Sequence, residues 1–174
     1  LEAHERCGWR SSRKLRHRCE HALLFGEREL DTIASNGLIL SMQPAFEHLW
    51  GGNNNMYAER LGDVAKRINP YRDIVDKGIV IVGGSDSYIT PIDPLAGVHA
   101  AVNHSNPEQR LSVYEALRIF THNPAYSVHK EDEYGTLQAG LDASFVILDE
   151  DPFRSDSIKD IGIHSTFCKG TKVY

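Results

Sequence analysis

Helices and apolar strands alternate along the first three quarters of this chain, which predicts an α/β protein whose parallel sheet is covered by helices. Three observations carry the prediction. The stretches 38–43 and 79–82 are nearly continuous in apolar character, as strands buried on both faces are. Each follows a segment of helical periodicity closed by a glycine, Gly37 or Gly78. Beyond Tyr134-Gly135 the helical periodicity stops, and short strand patterns separated by turn residues replace it. Such a sheet is either open and doubly wound or part of a (β/α) barrel. The predicted organisation is therefore an α/β part over residues 1–134 and a small antiparallel β segment over 135–174.

Residues 1–14 are charged, of moderate helix propensity, and interrupted by Gly8. Leu1-Glu2-Ala3-His4-Glu5 has no capping residue ahead of it and does not open on Met, so the chain is expected to begin inside an element of a larger domain. Arg16-His17-Arg18-Cys19-Glu20-His21-Ala22 is short enough for the end of a buried strand. Over 27–35, Leu30, Ile33 and Ala34 recur at helical spacing, and Asn36-Gly37 provides a left-handed stop. The strand at 38–43 ends at Pro44. Residues 47–56, with Gly51-Gly52-Asn53-Asn54-Asn55, lack periodicity and are predicted to be a long loop. Short helices are predicted at 57–62 and 70–77, and Ile79-Val80-Ile81-Val82 is a β-branched strand. Asp93-Pro94 sets an N-cap followed by proline at the first helical position, opening a helix through Leu95, Val98, His99 and Val102. Ser112-Val113-Tyr114-Glu115 is a capping box that starts a helix with Ala116, Leu117, Ile119 and Phe120 inside. After Gly135, Ser144-Phe145-Val146-Ile147-Leu148 is a strand, Asp151-Pro152 a turn, and 161–174 two short strands broken by Lys169-Gly170-Thr171.

Composition excludes several classes. Of 174 residues 41% are hydrophobic and 25% charged, with 14 Gly and 7 Pro, which is a folded chain and neither a disordered nor a collagen-like one. Lys plus Arg at 19 against Asp plus Glu at 24 leaves a net charge of −5, which offers no footprint for a nucleic-acid backbone. The longest apolar runs fall far short of the roughly 20 residues of a membrane-spanning helix, so neither nucleic acid nor membrane is an expected partner. Cys7, Cys19 and Cys168 form an odd set with no close pair, which leaves no disulfide framework and no Cys-x-x-Cys knuckle. With no signal-peptide pattern at the amino end, the cytoplasm is the expected compartment.

Two strand ends carry ionisable side chains where ligands collect in parallel sheets. His21 ends Arg18-Cys19-Glu20-His21, and Asp86 ends Ile81-Val82-Gly83-Gly84-Ser85-Asp86. Gly83 and Gly84 allow close backbone approach and unusual dihedrals that aim a carboxylate into a site. A neutral imidazole and a carboxylate suit zinc and similar divalent ions. Of the other histidines, only His48, in the predicted loop, is retained, as a substrate contact.

Arg16-His17-Arg18-Cys19-Glu20-His21-Ala22, Ser41-Met42-Gln43-Pro44, Gly84-Ser85-Asp86, residues 93–102 and residues 135–143 occur in order along the chain. Together they resemble the carboxy-terminal part of a metal-dependent amidohydrolase, in the subgroup that includes N-substituted formamide deformylase. The resemblance implies the last strands and helices of a (β/α)8 barrel, followed by a segment of a β-sandwich composed from both chain ends. It places His21 on the metal-ligand histidine after the sixth strand and Asp86 on the metal-binding aspartate after the eighth. In such a site a divalent ion makes water acidic enough to ionise near neutral pH, and the aspartate receives the proton and passes it to the leaving nitrogen. The His-x-His pair, the bridging lysine or glutamate and the fifth-strand histidine of the family would all precede Leu1. Ser144 stands where the family usually has an acidic residue.

The resemblance thus implies the carboxy-terminal piece of a hydrolase of non-peptide carbon–nitrogen bonds, inactive alone. It implies a divalent metal, zinc by its ligand types, with an incomplete ligand set here. The implied partners are a small amide-type substrate and a missing amino-terminal part or a like subunit. A non-catalytic assembly chain or split half that uses an exposed sheet edge is the alternative class. Deaminase, lactonase or isomerase chemistry on the same scaffold is a third. Substrate choice would sit in 45–56 and 87–92, where Phe46, Trp50 and Tyr88 suggest an apolar pocket.

Overall fold

The computed structural model describes residues 12–174. The helical reading of 1–11, and Cys7 with it, lies outside the described residues. A 3-10 turn at Ser12–Leu15 leads into β1 (Arg18–Glu20), and α1 (Glu27–Asn36) follows. Next come β2 (Ile39–Met42), α2 (Pro44–Trp50), α3 (Met56–Leu61), a 3-10 helix at Gly62–Arg67, α4 (Tyr71–Asp76) and β3 (Ile81–Gly83). The α/β part ends with α5 (Pro94–Val102), α6 (Val113–Phe120) and α7 (His122–Ser127).

The three strands form a parallel sheet in the order β1-β2-β3, with Cys19 opposite Leu40 and Leu40 opposite Ile81. Central β2 is the most buried, and Leu40 and Met42 are fully enclosed in a core shared with Leu30, Ile33, Ile74, Ile81 and Ile119. Burying such side chains stabilises the fold by ~1.5–3 kcal/mol each. Gly37 adopts φ 64° and closes α1 with its N–H on Ala34 and Ile33 carbonyls, the left-handed stop that only glycine takes without penalty. Asp93 Oδ1 accepts from Ala96 N–H at 3.0 Å to start α5. Ser112 and Glu115 form the reciprocal cap of α6, and Arg72 of α4 holds both Glu115 oxygens at 2.9 and 2.7 Å.

Three local expectations are corrected. Residues 47–56 are not one loop, because Pro44 both ends β2 and occupies the first turn of α2, and the Phe46 and Trp50 rings meet one turn apart, tilted, with centroids 4.6 Å apart. β1 is not buried: Arg18 and Glu20 are exposed and pair with each other at 3.2 Å, charged side chains that keep this strand in contact with solvent. The last parallel strand begins at Ile81, since Ile79 N–H is spent closing α4 on Ile74 O.

Past α7 the architecture changes. β4 (Phe145–Leu148), β5 (Ile163–Cys168) and β6 (Thr171–Lys172) form an antiparallel sheet, with Phe145 and Phe167 stacked across strands at 4.7 Å. A 3-10 turn at Ile158–Asp160 interrupts it, and buried Ile158 and Ile161 join the core of the α/β part. Among the described residues no helix is long and apolar enough to cross a membrane.

Candidate functional site

His21, Gln43 and Asp86 each follow one strand of the parallel sheet, so the shared register brings their side chains to one edge. His21 N–H bonds Ser41 O at 2.7 Å, continuing the β1–β2 ladder by one residue. There the chain turns sharply, with φ 69° at His21 and 48° at Ala22. Asp86 has φ 50°. Left-handed backbone at non-glycine residues costs ~1–3 kcal/mol and collects at functional sites, and Asp and His are among the residues that tolerate it best. The Asp86 turn is closed by Ile89 N–H on Asp86 O at 2.6 Å and by the buried Thr90 hydroxyl on Ser85 O.

His21 Nδ1 and Asp86 Oδ2 approach to 4.0 Å, with 56% and 40% of the side chains exposed. Gln43, 5% exposed, places Oε1 at 3.2 Å from the same Nδ1. The donor set suits a divalent ion as two of its ligands. Among the described residues no group of three or more His, Cys, Asp and Glu side chains is assembled.

The glycines act differently from expectation. Neither Gly83 nor Gly84 has positive φ, and the left-handed residue is Asp86 itself. Gly83 serves close approach: a Cβ there would stand 2.5 Å from the Phe120 ring. A cleft of ≈ 200 Å³ opens beside this backbone, lined by Ala45, Gly84, Ser85, Ile92 and Phe120, and it does not include Asp86 or His21.

His48 is exposed on α2, and its ring meets His99 edge-on at 5.8 Å. Burial lowers the pKa of His99, and the neighbouring His48 lowers it further. Phe46 is buried and Trp50 packs on Tyr57, so neither is a pocket wall, whereas Tyr88 is fully exposed two residues from Asp86.

Two features escaped the sequence reading. Gln43 sits in the quoted Ser41-Met42-Gln43-Pro44 run, and a polar residue directly after a buried strand was the available signal. Glu47 is enclosed at 3% exposure, receiving Asn69 Nδ2 at 2.9 Å and Ser105 Oγ at 2.5 Å, with His104 Nε2 at 3.6 Å. Burial, with Glu47's charge second, pushes Tyr57 up to about 12 and raises Tyr71 well above its usual value.

Parallel strands joined through helices, with a histidine and an aspartate converging at their carboxyl ends, form an arrangement that part of a (β/α) barrel has. The family model described as "Amidohydrolase family" matches residues 1–174, and the chain belongs to that family, within the metal-dependent amidohydrolase superfamily. It is 32% identical over 167 residues to YtcJ of Bacillus subtilis, whose name places it among amidohydrolases, covering 88% of this chain and 31% of that protein. It is 26% identical to N-substituted formamide deformylase of Arthrobacter pascens, covering 100% of this chain and 34% of the enzyme. A crystal structure of an uncharacterized metal-dependent hydrolase from Pyrococcus furiosus superposes with TM-score 0.74 at 30% identity, covering 88% of this chain and 31% of that one. The chain thus spans about a third of the length of these relatives.

Proposed function

We propose that this chain is the carboxy-terminal portion of a metal-dependent amidohydrolase that cleaves non-peptide carbon–nitrogen bonds of small amide-type substrates. His21 and Asp86 serve as metal ligands, and Asp86 is also the proton carrier. The observation that supports this reading is the meeting of the two side chains at 4.0 Å on the carboxyl edge of the sheet. When bound, a divalent ion, zinc by the ligand types, supplies the Lewis acidity that lets water ionise near neutral pH. Asp86 Oδ would be the group that accepts a proton from the attacking water and passes it to the departing nitrogen. His21 stands directly after β1 with Nδ1 at 4.0 Å from Asp86 Oδ2, and the closed 85–90 turn holds Asp86 in place.

The remaining ligands come from an amino-terminal part or a like subunit, and this chain is inactive alone. Val146, Ile147 and Ile163 expose 42–49% of their surface on the antiparallel sheet, which supports a composite sandwich completed by other strands.

Asp86→Asn in the protein that carries this chain tests the proton-carrier role. Asparagine tolerates the φ of 50° and keeps the size, but it takes no proton from water. The expected result is kcat lower by ~10²–10⁴-fold, against N-formyl and N-acyl amides, with the thermal midpoint held. A variant as active as the parent overturns the role.

A further inference from the structure

We propose that Gln43 is the positioning residue for His21, holding the ring in the tautomer with hydrogen on Nδ1 and thereby presenting the Nε2 lone pair outward. The inference rests on the metal reading only for its consequence, because the tautomer is a property of the metal-free protein.

Gln43 is fixed before its side chain acts. It follows the central strand, and Pro44 starts α2 immediately after it. Its carbonyl accepts Phe46 N–H at 3.0 Å, and its side chain is almost wholly enclosed. An amide oxygen in that setting needs a donor, and His21 Nδ1 is 3.2 Å away. Oε1 can only accept, so the ring nitrogen that faces it carries the hydrogen. A neutral imidazole has one N–H, and Nε2 is left with the lone pair a metal ion requires.

The surroundings add little other restraint on the ring. More than half of the His21 side chain is exposed, so packing does not set its orientation. Asp86 Oδ2, at 4.0 Å from Nδ1, is too far to accept that hydrogen. The two neighbours of His21 therefore divide the work. The neutral amide orients the imidazole without adding charge, and the carboxylate remains free to serve the ion and the proton. For histidine in water the other tautomer, hydrogen on Nε2, prevails, so Gln43 reverses the intrinsic preference.

The test is nitrogen NMR of the metal-free protein that carries this chain, labelled at histidine, at alkaline pH, with the His21 signals identified by their loss in His21→Ala. The expected wild-type spectrum shows a protonated Nδ1 and a bare Nε2. Gln43→Met, close in shape but without the acceptor, should shift the ring to the Nε2–H tautomer and weaken zinc binding by ~10–100-fold. Gln43→Glu, an acceptor in the same place, should restore both readouts to near wild type. A wild-type ring with hydrogen on Nε2 overturns the proposal and needs no variant to fold. A folded Gln43→Met protein with unchanged tautomer and zinc affinity overturns it equally. Zinc affinity unchanged in His21→Ala instead overturns the metal reading and leaves the tautomer result standing.

Discussion

His104 illustrates how burial selects one protonation state at a single residue. Its Nδ1 accepts Asn106 N–H at 2.9 Å and its Nε2 donates to Asn69 O at 3.1 Å, a pattern open only to the neutral ring. Burial lowers its pKa, and this outweighs the opposing pull of Glu47 at 3.6 Å. The sign for stability follows. The unfolded chain binds a proton that the native ring refuses, so the contribution is full above the unfolded value of ~6.5 and is lost as pH falls through it toward the lower native value. Urea midpoints measured between neutral and mildly acidic pH should drop on acidification, and His104→Gln should flatten that part of the profile. An unchanged profile in the variant would show that His104 binds its proton equally in both states.

At the scale of elements, the contact of α5 with α6 is set by a missing side chain. Gly97 lies inside α5, where propensity alone favours Ala over Gly by ~0.8–1 kcal/mol. A Cβ at Gly97, however, would stand 2.3 Å from Cζ of Phe120, and the same ring faces Gly83 on β3. Phe120 thus wedges against helix and strand together, and it does so beside the turn that carries Asp86. Gly97→Ala is expected to destabilise by ~1–3 kcal/mol, because overpacking outweighs the gain in propensity. A higher denaturation midpoint for this variant would mean that the ring moves aside freely.

Over the whole molecule, the described strands do not close a barrel. β1 and β3 both lack an outer partner strand among the described residues, although Asn123 Nδ2 covers Ile81 O at 2.8 Å. Under the proposed reading of His21 and Asp86 as two ligands, the 174-residue chain with added zinc is expected not to turn over N-formyl or N-acyl amides, since a catalytic zinc takes three protein ligands and an open position. If the proposed amino-terminal part supplies the other ligands, adding it as a separate chain should bring zinc binding and turnover together. Zinc-dependent turnover by this chain alone would overturn the incomplete-site reading.

Sequence by itself determined the alternation of helix and strand, the caps at Asp93 and Ser112, the stop at Gly37 and the change of architecture after α7. These are local signals, written in periodicity and in the hydrogen-bonding habits of a few side chains near one another in the chain. It also marked His21 and Asp86 as polar residues at strand ends. Only the tertiary structure decided that they meet at 4.0 Å, that Gln43 stands between their strands, and that Glu47 is enclosed among Asn69, His104 and Ser105. It likewise turned 44–50 into a helix, because Phe46 and Trp50 acquire their periodic meaning only against a core that receives them. Parallel register and helical crossovers join residues far apart in sequence at one sheet edge, and no local pattern encodes which ends will coincide.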